Sequence, residues 1–327
     1  MRVAVWASGG DCPGMNAVVA ELVDLAAASG DEIWGVYGGF EGLVEGRTRR
    51  LLPEETRPLR HLGGIRLGTS RSAVHASEPG LSRALQHWRD AGLGGAIVMG
   101  GDGTVRHGGQ WMQAQGLRCV FVPATIDGDI PGTEYSLGFD SAANYAVEAA
   151  ARLCETGGSM PGRVFILETL GGRSGHLALA VAEAVRADAV VLPEFPEPVA
   201  RVVGRLADAV EAKGWALAVV AEGVIWDDST WYAKLEASLP VRLRRTVLGH
   251  AERAGPPTFR DLVWARRFAE RAFAELTRGG GPSVQMVAAS GEATLCVPWE
   301  ALRGSASKRP DPAVYESLWK GTVPVRS

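Results

Sequence analysis

The 327-residue chain is 46% hydrophobic and 22% charged, with 42 glycines and 18 prolines, enough to bury the core of one large domain or two medium ones. A formal net charge of −3 supplies no field for nucleic acid or an anionic membrane. Cys12, Cys119, Cys154 and Cys296 are widely spaced and form neither a disulfide framework nor a zinc module; with no apolar run of ~18 residues and no signal-peptide pattern, the chain reads as soluble and cytoplasmic.

In chain order, the apolar run at residues 3–7 predicts a strand. It breaks into Ser8-Gly9-Gly10-Asp11-Cys12-Pro13-Gly14, and a helical pattern follows over 15–28. Further strands are expected at 33–36, 96–99 and 119–123, with helices over 81–90 and 105–115 between them. The second half repeats the theme, with strands at 164–167, 189–192, 217–221 and 284–288. Its helices are expected over 142–154, 175–185, 199–212 and 263–276. Short, continuously apolar strands separated by helices predict α/β architecture: two three-layer α/β/α lobes with mainly parallel sheets and a cleft between them. The tail after Gly304 is left as a cap of open role.

Three glycine-rich loops follow apolar strands. The first, ending in Met15-Asn16, opens a helix, so small residues let the backbone approach an anion at the helix start. It is neither a Walker A loop nor a dinucleotide fingerprint, and a bare tight turn is the alternative. Cys12 within it reads as a small buried filler. The second loop, Met99-Gly100-Gly101-Asp102-Gly103-Thr104, sets Asp102 where Mg²⁺ finds an oxygen donor or where an Asp caps the next helix. The third, Pro123-Ala124-Thr125-Ile126-Asp127-Gly128-Asp129-Ile130-Pro131-Gly132-Thr133, carries two carboxylates two residues apart. One of them can deprotonate a hydroxyl; the alternative is a surface turn. Together the loops describe a phosphate-and-magnesium site without separating a kinase from a phosphatase.

Arg163, Arg173, Arg244, Arg245 and Arg253 stand beside turns, where guanidinium groups grip phosphate or are simply solvated, and His250 adds a donor. Glu168 and Glu222 each close an apolar strand, a place to accept a sugar hydroxyl. Lys and Arg form no stripe, which argues against nucleic acid. The helix over 263–276, with Asp261, Glu270 and Glu275, reads as a solvated amphipathic face. His107 and His176 have no spaced partner and are assigned no metal.

These loops resemble those of the ATP-dependent 6-phosphofructokinases of the short bacterial type. The matching blocks are Ser8-Gly9-Gly10-Asp11, Pro13-Gly14-Met15-Asn16, Gly100-Gly101-Asp102-Gly103-Thr104, Thr125-Ile126-Asp127 with Asp129, Gly132-Thr133, Gly138-Phe139-Asp140 and Thr246-Val247-Leu248-Gly249-His250. They fall in family order over roughly the first 255 residues. The resemblance implies a phosphofructokinase-like fold with a nucleotide and Mg²⁺ lobe over 1–138 (joined by part of 255–305), a sugar-phosphate lobe over 139–304 and a tail over 305–327. It implies ATP and Mg²⁺ as cofactors and phosphorylation of fructose 6-phosphate to fructose 1,6-bisphosphate, a step of glycolysis. Gly10, Gly101, Gly103 and Thr104 would line the nucleotide, Arg71 would reach the transferring phosphoryl group, and Asp102 would bind Mg²⁺. Asp127 would be the base, with Thr125 and Asp129 beside it. Arg163, Glu222, Arg244, His250 and Arg253 would hold the sugar phosphate, with Arg163 and Arg244 contributed across the interface of a homotetramer. Gly103 and Ala124 resemble ATP users rather than pyrophosphate-dependent relatives.

The departures are specific. Gly128 stands in the family's Thr-Ile-Asp-Asn-Asp, and Leu170-Gly171-Gly172 replaces its Met-Gly-Arg, with the arginine displaced to Arg173. Ala20 and Asp24 occupy positions of effector-binding arginines, and the region of Lys213-Gly214-Trp215 is altered, so effector control is not expected. Two alternatives stay open: a kinase for another phosphorylated sugar, motivated by Gly128 and Gly172, and a weakly active regulatory partner of an active paralogue.

Overall fold

A computed structural model describes residues 1–71, 78–278, 281 and 283–321; the last six residues of the expected tail lie outside them. The chain divides into two compact units. The first gathers Met1–Ile126, Ile130–Ser141 and Arg253–Ser307, and the second gathers Asp127–Asp129, Ala142–Glu252 and Lys308–Ser327. Arg253–Ser307 thus groups with the first unit, and the chain from Lys308 onward with the second. The strands run in chain order as β1 (Arg2–Ser8), β2 (Glu32–Val36), β3 (Thr48–Arg50), β4 (Gly95–Gly100), β5 (Cys119–Pro123), β6 (Arg163–Thr169), β7 (Ala189–Val191), β8 (Trp215–Ala221), β9 (Arg242–Val247), β10 (Val284–Ser290) and β11 (Ala293–Pro298).

The first unit is built on a seven-stranded sheet in the order β11-β10-β5-β4-β1-β2-β3. Its five central strands are parallel, and β3 and β11 close the edges antiparallel. β4 and β5 are buried at every residue, which explains their unbroken apolar sequence. Helix Phe259–Arg278 lies against helix Met15–Ser29 and strands β4, β5 and β10. Below the sheet, Phe40 makes edge-to-face contacts with Trp6 at 5.6 Å and Trp111 at 5.2 Å between ring centroids.

The second unit holds a four-stranded parallel sheet in the order β7-β8-β6-β9. Edge strand β9 reads Arg-Leu-Arg-Arg-Thr-Val, with only Leu243 buried. It lacks the apolar run that marks its neighbours, so Arg244 and Arg245 lie within a strand rather than beside a turn. Charged residues on an edge discourage further strand pairing. The tail forms helix Pro312–Lys320, capped by the Asp311 carboxylate, and packs on helix His176–Val185 and β7. Among the described residues, no helix is long and apolar enough to cross a membrane.

Candidate active site

Three neighbouring strands of the first unit end together. Ser8 of β1 lies beside Gly100 of β4, and Gly100 beside Pro123 of β5, so all three glycine-rich loops leave one carboxyl edge, where open α/β sheets bind ligands. Thr104 donates its hydroxyl to the Ser8 carbonyl at 2.9 Å, and a β-carbon on Gly100 would strike both. Gly9, at φ +92°, donates its N–H to the Ser70 carbonyl and accepts the Thr69 hydroxyl, each at 3.0 Å. This two-way clamp ties the first loop to Thr69 and Ser70, and exposed Arg71 is the next residue in the chain. Helices Met15–Ser29 and Asp102–Ala114 begin at Gly14 and Gly101 without a side-chain cap, so first-turn N–H groups remain for an anion.

Asp102 is the first residue of its helix. Arg106 Nε lies 2.8 and 2.7 Å from its two carboxylate oxygens, and the Ser307 hydroxyl donates to Oδ2 at 3.1 Å. One carboxylate beside a phosphate loop fits Mg²⁺, which takes one or two protein oxygens and completes its shell with phosphate and water. Arg106 competes for those oxygens. Among the described residues no group of three or more His, Cys, Asp or Glu could hold a metal. Buried Thr125 abuts Gly101: a β-carbon there would sit 3.4 Å from Thr125 Cβ. Arg253 also belongs to this unit and covers Gly10, while Cys12 is buried and donates its thiol to the Leu137 carbonyl at 3.2 Å.

Asp261 corrects an expectation. It lies in no solvated face but is fully buried. Its Oδ1 accepts the Tyr135 hydroxyl and the Gly138 N–H, both at 2.7 Å; its Oδ2 accepts the Ser141 N–H at 3.0 Å and the Ser141 hydroxyl at 2.5 Å. Burial pushes its pKa up against the pull of those four donors. The carboxylate caps helix Phe139–Ser159 from a distant part of the chain. Nothing local in the sequence separates such an Asp from a surface one.

In the second unit, Asp127 and Asp129 are half-buried and flank Gly128, whose φ is +68°. The Asp127 carbonyl accepts the Ser174 hydroxyl at 2.7 Å, and the Asp129 carbonyl accepts the Lys308 N–H at 2.8 Å. Ser174 belongs to the loop after β6, which two carboxylates hold. Glu222 accepts the N–H groups of Gly171 and Gly172 at 3.2 and 2.7 Å, and fully buried Glu252 accepts that of Leu170 at 2.5 Å. A carboxylate offers about four lone-pair sites, so Glu222 keeps capacity for a hydroxyl. The displaced Arg173 is exposed and pairs with Asp227 at 3.0 Å. One bonded path therefore links Glu222, the Gly171-Gly172 turn, Ser174 and Asp127.

The other expected residues lie elsewhere. Arg163 begins β6, and six residues at a strand rise of ~3.3 Å set it ~20 Å from Thr169, which ends the strand. It neighbours Arg242 of β9 in register. Exposed Arg244 lies opposite Phe165 in mid-strand. Glu168 accepts the Tyr232 hydroxyl at 2.6 Å, and Arg245 stacks 4.2 Å over the Tyr232 ring. His250 is exposed in the turn Gly249–Arg253.

The sequence model described as phosphofructokinase matches residues 2–276. ATP-dependent 6-phosphofructokinase 1 of Thermus thermophilus is 36% identical over 298 residues, 90% of this chain and 91% of its own. The ATP-dependent 6-phosphofructokinase of Lactobacillus delbrueckii subsp. bulgaricus is 37% identical over 281 residues, 86% of this chain and 87% of its own. Among solved structures, the T-state phosphofructokinase of Pichia pastoris shares the fold with a TM-score of 0.87 at 24% identity; the match covers 92% of this chain and 35% of that longer one. A pyrophosphate-dependent phosphofructokinase from Marinobacter aquaeolei shares it with a TM-score of 0.84 at 19% identity, covering 95% and 85% of the two chains. Matched by the family model over most of its length and by curated relatives at more than a third identity, the chain belongs to the phosphofructokinase family.

Proposed function

We propose that this chain transfers the γ-phosphoryl group of ATP to the 1-hydroxyl of fructose 6-phosphate, yielding fructose 1,6-bisphosphate and ADP. The observation that carries the reading is the common sheet edge from which the loops bearing Gly10, Asp102 and Thr125 leave. Gly10, Gly101, Gly103 and Thr104 cradle the nucleotide phosphates, and Arg71 meets the transferring group. When bound, Mg²⁺ on Asp102 neutralises charge on the nucleotide phosphates. Asp127 takes the proton of the attacking hydroxyl, with Thr125 and Asp129 beside it. Glu222, His250 and Arg253 hold the sugar phosphate. Arg163 and Arg244 serve a neighbouring copy in a homotetramer; the ~20 Å of β6 between Arg163 and the Glu222-bound loop supports that division. Coupled ADP release from the purified chain with ATP, MgCl₂ and fructose 6-phosphate tests the reading. Activity no higher than that of Asp127→Asn would overturn it.

A second reading, a different phosphorylated sugar as acceptor, is favoured by the sugar-side loop itself. Gly172 offers no guanidinium, and Arg173 is engaged with Asp227. A panel of sugar phosphates assayed with ATP separates the two: a kcat/KM for another acceptor well above that for fructose 6-phosphate selects the second.

A further inference from the structure

We propose that Ser174 and His176 are positioning residues that fix the backbone of Asp127, and hence its carboxylate, against the freedom that Gly128 introduces. The proposal rests on the reading of Asp127 as the base. Gly128 sits at φ +68°, and glycine leaves its neighbours less constrained than any other residue. A carboxylate attached beside such a joint needs anchors from outside its own segment. The structure supplies one on each side: the Ser174 hydroxyl on the Asp127 carbonyl at 2.7 Å, and the Lys308 N–H on the Asp129 carbonyl at 2.8 Å.

The Ser174 anchor is itself held. Ser174 is buried, its N–H reaches the Gly171 carbonyl at 2.9 Å, and the next N–H, that of Gly175, is taken by Glu194 at 2.8 Å. His176 Nδ1 lies 2.9 Å from Ser174 Oγ. The Asp127 carbonyl and His176 Nδ1 both lie within hydrogen-bond reach of Ser174 Oγ, so the ring and the carbonyl together fix the place of the hydroxyl. Burial, aided by Lys308, outweighs the Arg309 backbone and lowers the His176 pKa to about 4. The ring is therefore neutral in any ordinary assay, which keeps this arrangement constant. Glu222 and Glu252 tether the start of the same loop, so the strut runs from two buried or half-buried carboxylates to the reacting one.

Displacing a reacting group by about 1 Å costs up to about a hundredfold, whereas substrate contacts are untouched. Ser174→Ala should therefore lower kcat by about ten- to a hundredfold, with KM for ATP and fructose 6-phosphate within about threefold of the parent. His176→Ala should lower kcat in the same direction. His176→Asn, whose amide can offer a donor or an acceptor near the place of Nδ1, should restore it to within about threefold. Initial-rate kinetics, with melting temperatures to confirm folding, read all three variants. If Ser174→Ala keeps kcat within about twofold while Asp127→Asn is inactive, the positioning role is overturned and the base assignment stands. If Asp127→Asn itself retains kcat, the base assignment falls instead. Should Ser174→Ala fail to fold, the histidine pair decides: His176→Asn as slow as His176→Ala, or His176→Ala as fast as the parent, overturns the proposal.

Discussion

The guanidinium of Arg253 lies across the α-carbon of Gly10, so close that any β-carbon there would strike Nη1, and it donates to the Asp11 carbonyl at 3.4 Å. The absence of a side chain at position 10 is thus what admits a cation to the first phosphate loop. The obstructed atom is the tip of a flexible side chain, so Gly10→Ala should move the guanidinium rather than the backbone. We expect KM for ATP, whose phosphates Gly10 lines, and for fructose 6-phosphate, which Arg253 holds, each to rise about tenfold, with the melting temperature within about 3 °C of the parent. Initial rates and thermal melts check both halves.

Asp102 and Arg106 form an ion pair one helical turn apart. If Mg²⁺ uses that carboxylate, Arg106 holds it back. Arg106→Ala should lower the Mg²⁺ concentration for half-maximal rate by about two- to fivefold, because a surface-type pair is worth ~0.5–1 kcal/mol. Asp102→Asn should reduce kcat by about a hundredfold or more. Magnesium titrations of the coupled reaction measure both.

Asp261 receives four donors and presents none. Asp261→Asn puts an amide NH₂ against at least two of them inside the first unit. Loss of about 3 kcal/mol in stability is expected, in the range for a broken buried polar network. Denaturant unfolding of the variant measures it, and an unchanged midpoint would contradict the hub.

His176 supplies a pH dependence with a definite sign. Its folded pKa is lowered to about 4 from an ordinary value of 6.5 by burial and by Lys308. Between those values the unfolded chain binds more protons than the native one, so stability rises with pH across that window and is lost on acidification. His176→Asn removes the titration. The stability of the parent relative to the variant should therefore fall as pH goes from 7 to 4.5, by on the order of 2 kcal/mol, and the gap between their melting temperatures should shift in the same sense. Paired melts over that range provide the test.

Much of the site was legible because its signals are local. A strand end followed by Gly-Gly-Asp or Thr-Ile-Asp carries its own backbone demands, and β4 and β5 announce themselves by apolar residues on both faces. Strand β9 was missed because an edge strand solvated along most of its length carries arginines where a buried one carries valines. Asp261 was misread because an acidic residue in a basic amphipathic helix looks solvated. His176 was set aside for want of a partner at metal-ligand spacing, when its partner was a serine two residues away. Neighbours in sequence also part company: Glu252 holds Leu170 in one unit, while Arg253 covers Gly10 in the other.

What the sequence alone determined is the alternation of buried central strands with helices, the family resemblance and the residue types at the loops, because backbone conformation and phosphate chemistry constrain a few adjacent positions at a time. What only the tertiary structure decided is which carboxylates are spent on holding the scaffold. Asp261, Glu252 and in part Glu222 accept backbone N–H groups from segments 50 to 123 residues away. Hydrogen bonds between remote segments leave no periodic trace in a chain, and burial, which turns an ordinary carboxylate into an anchor, is a property of the folded packing rather than of the residue.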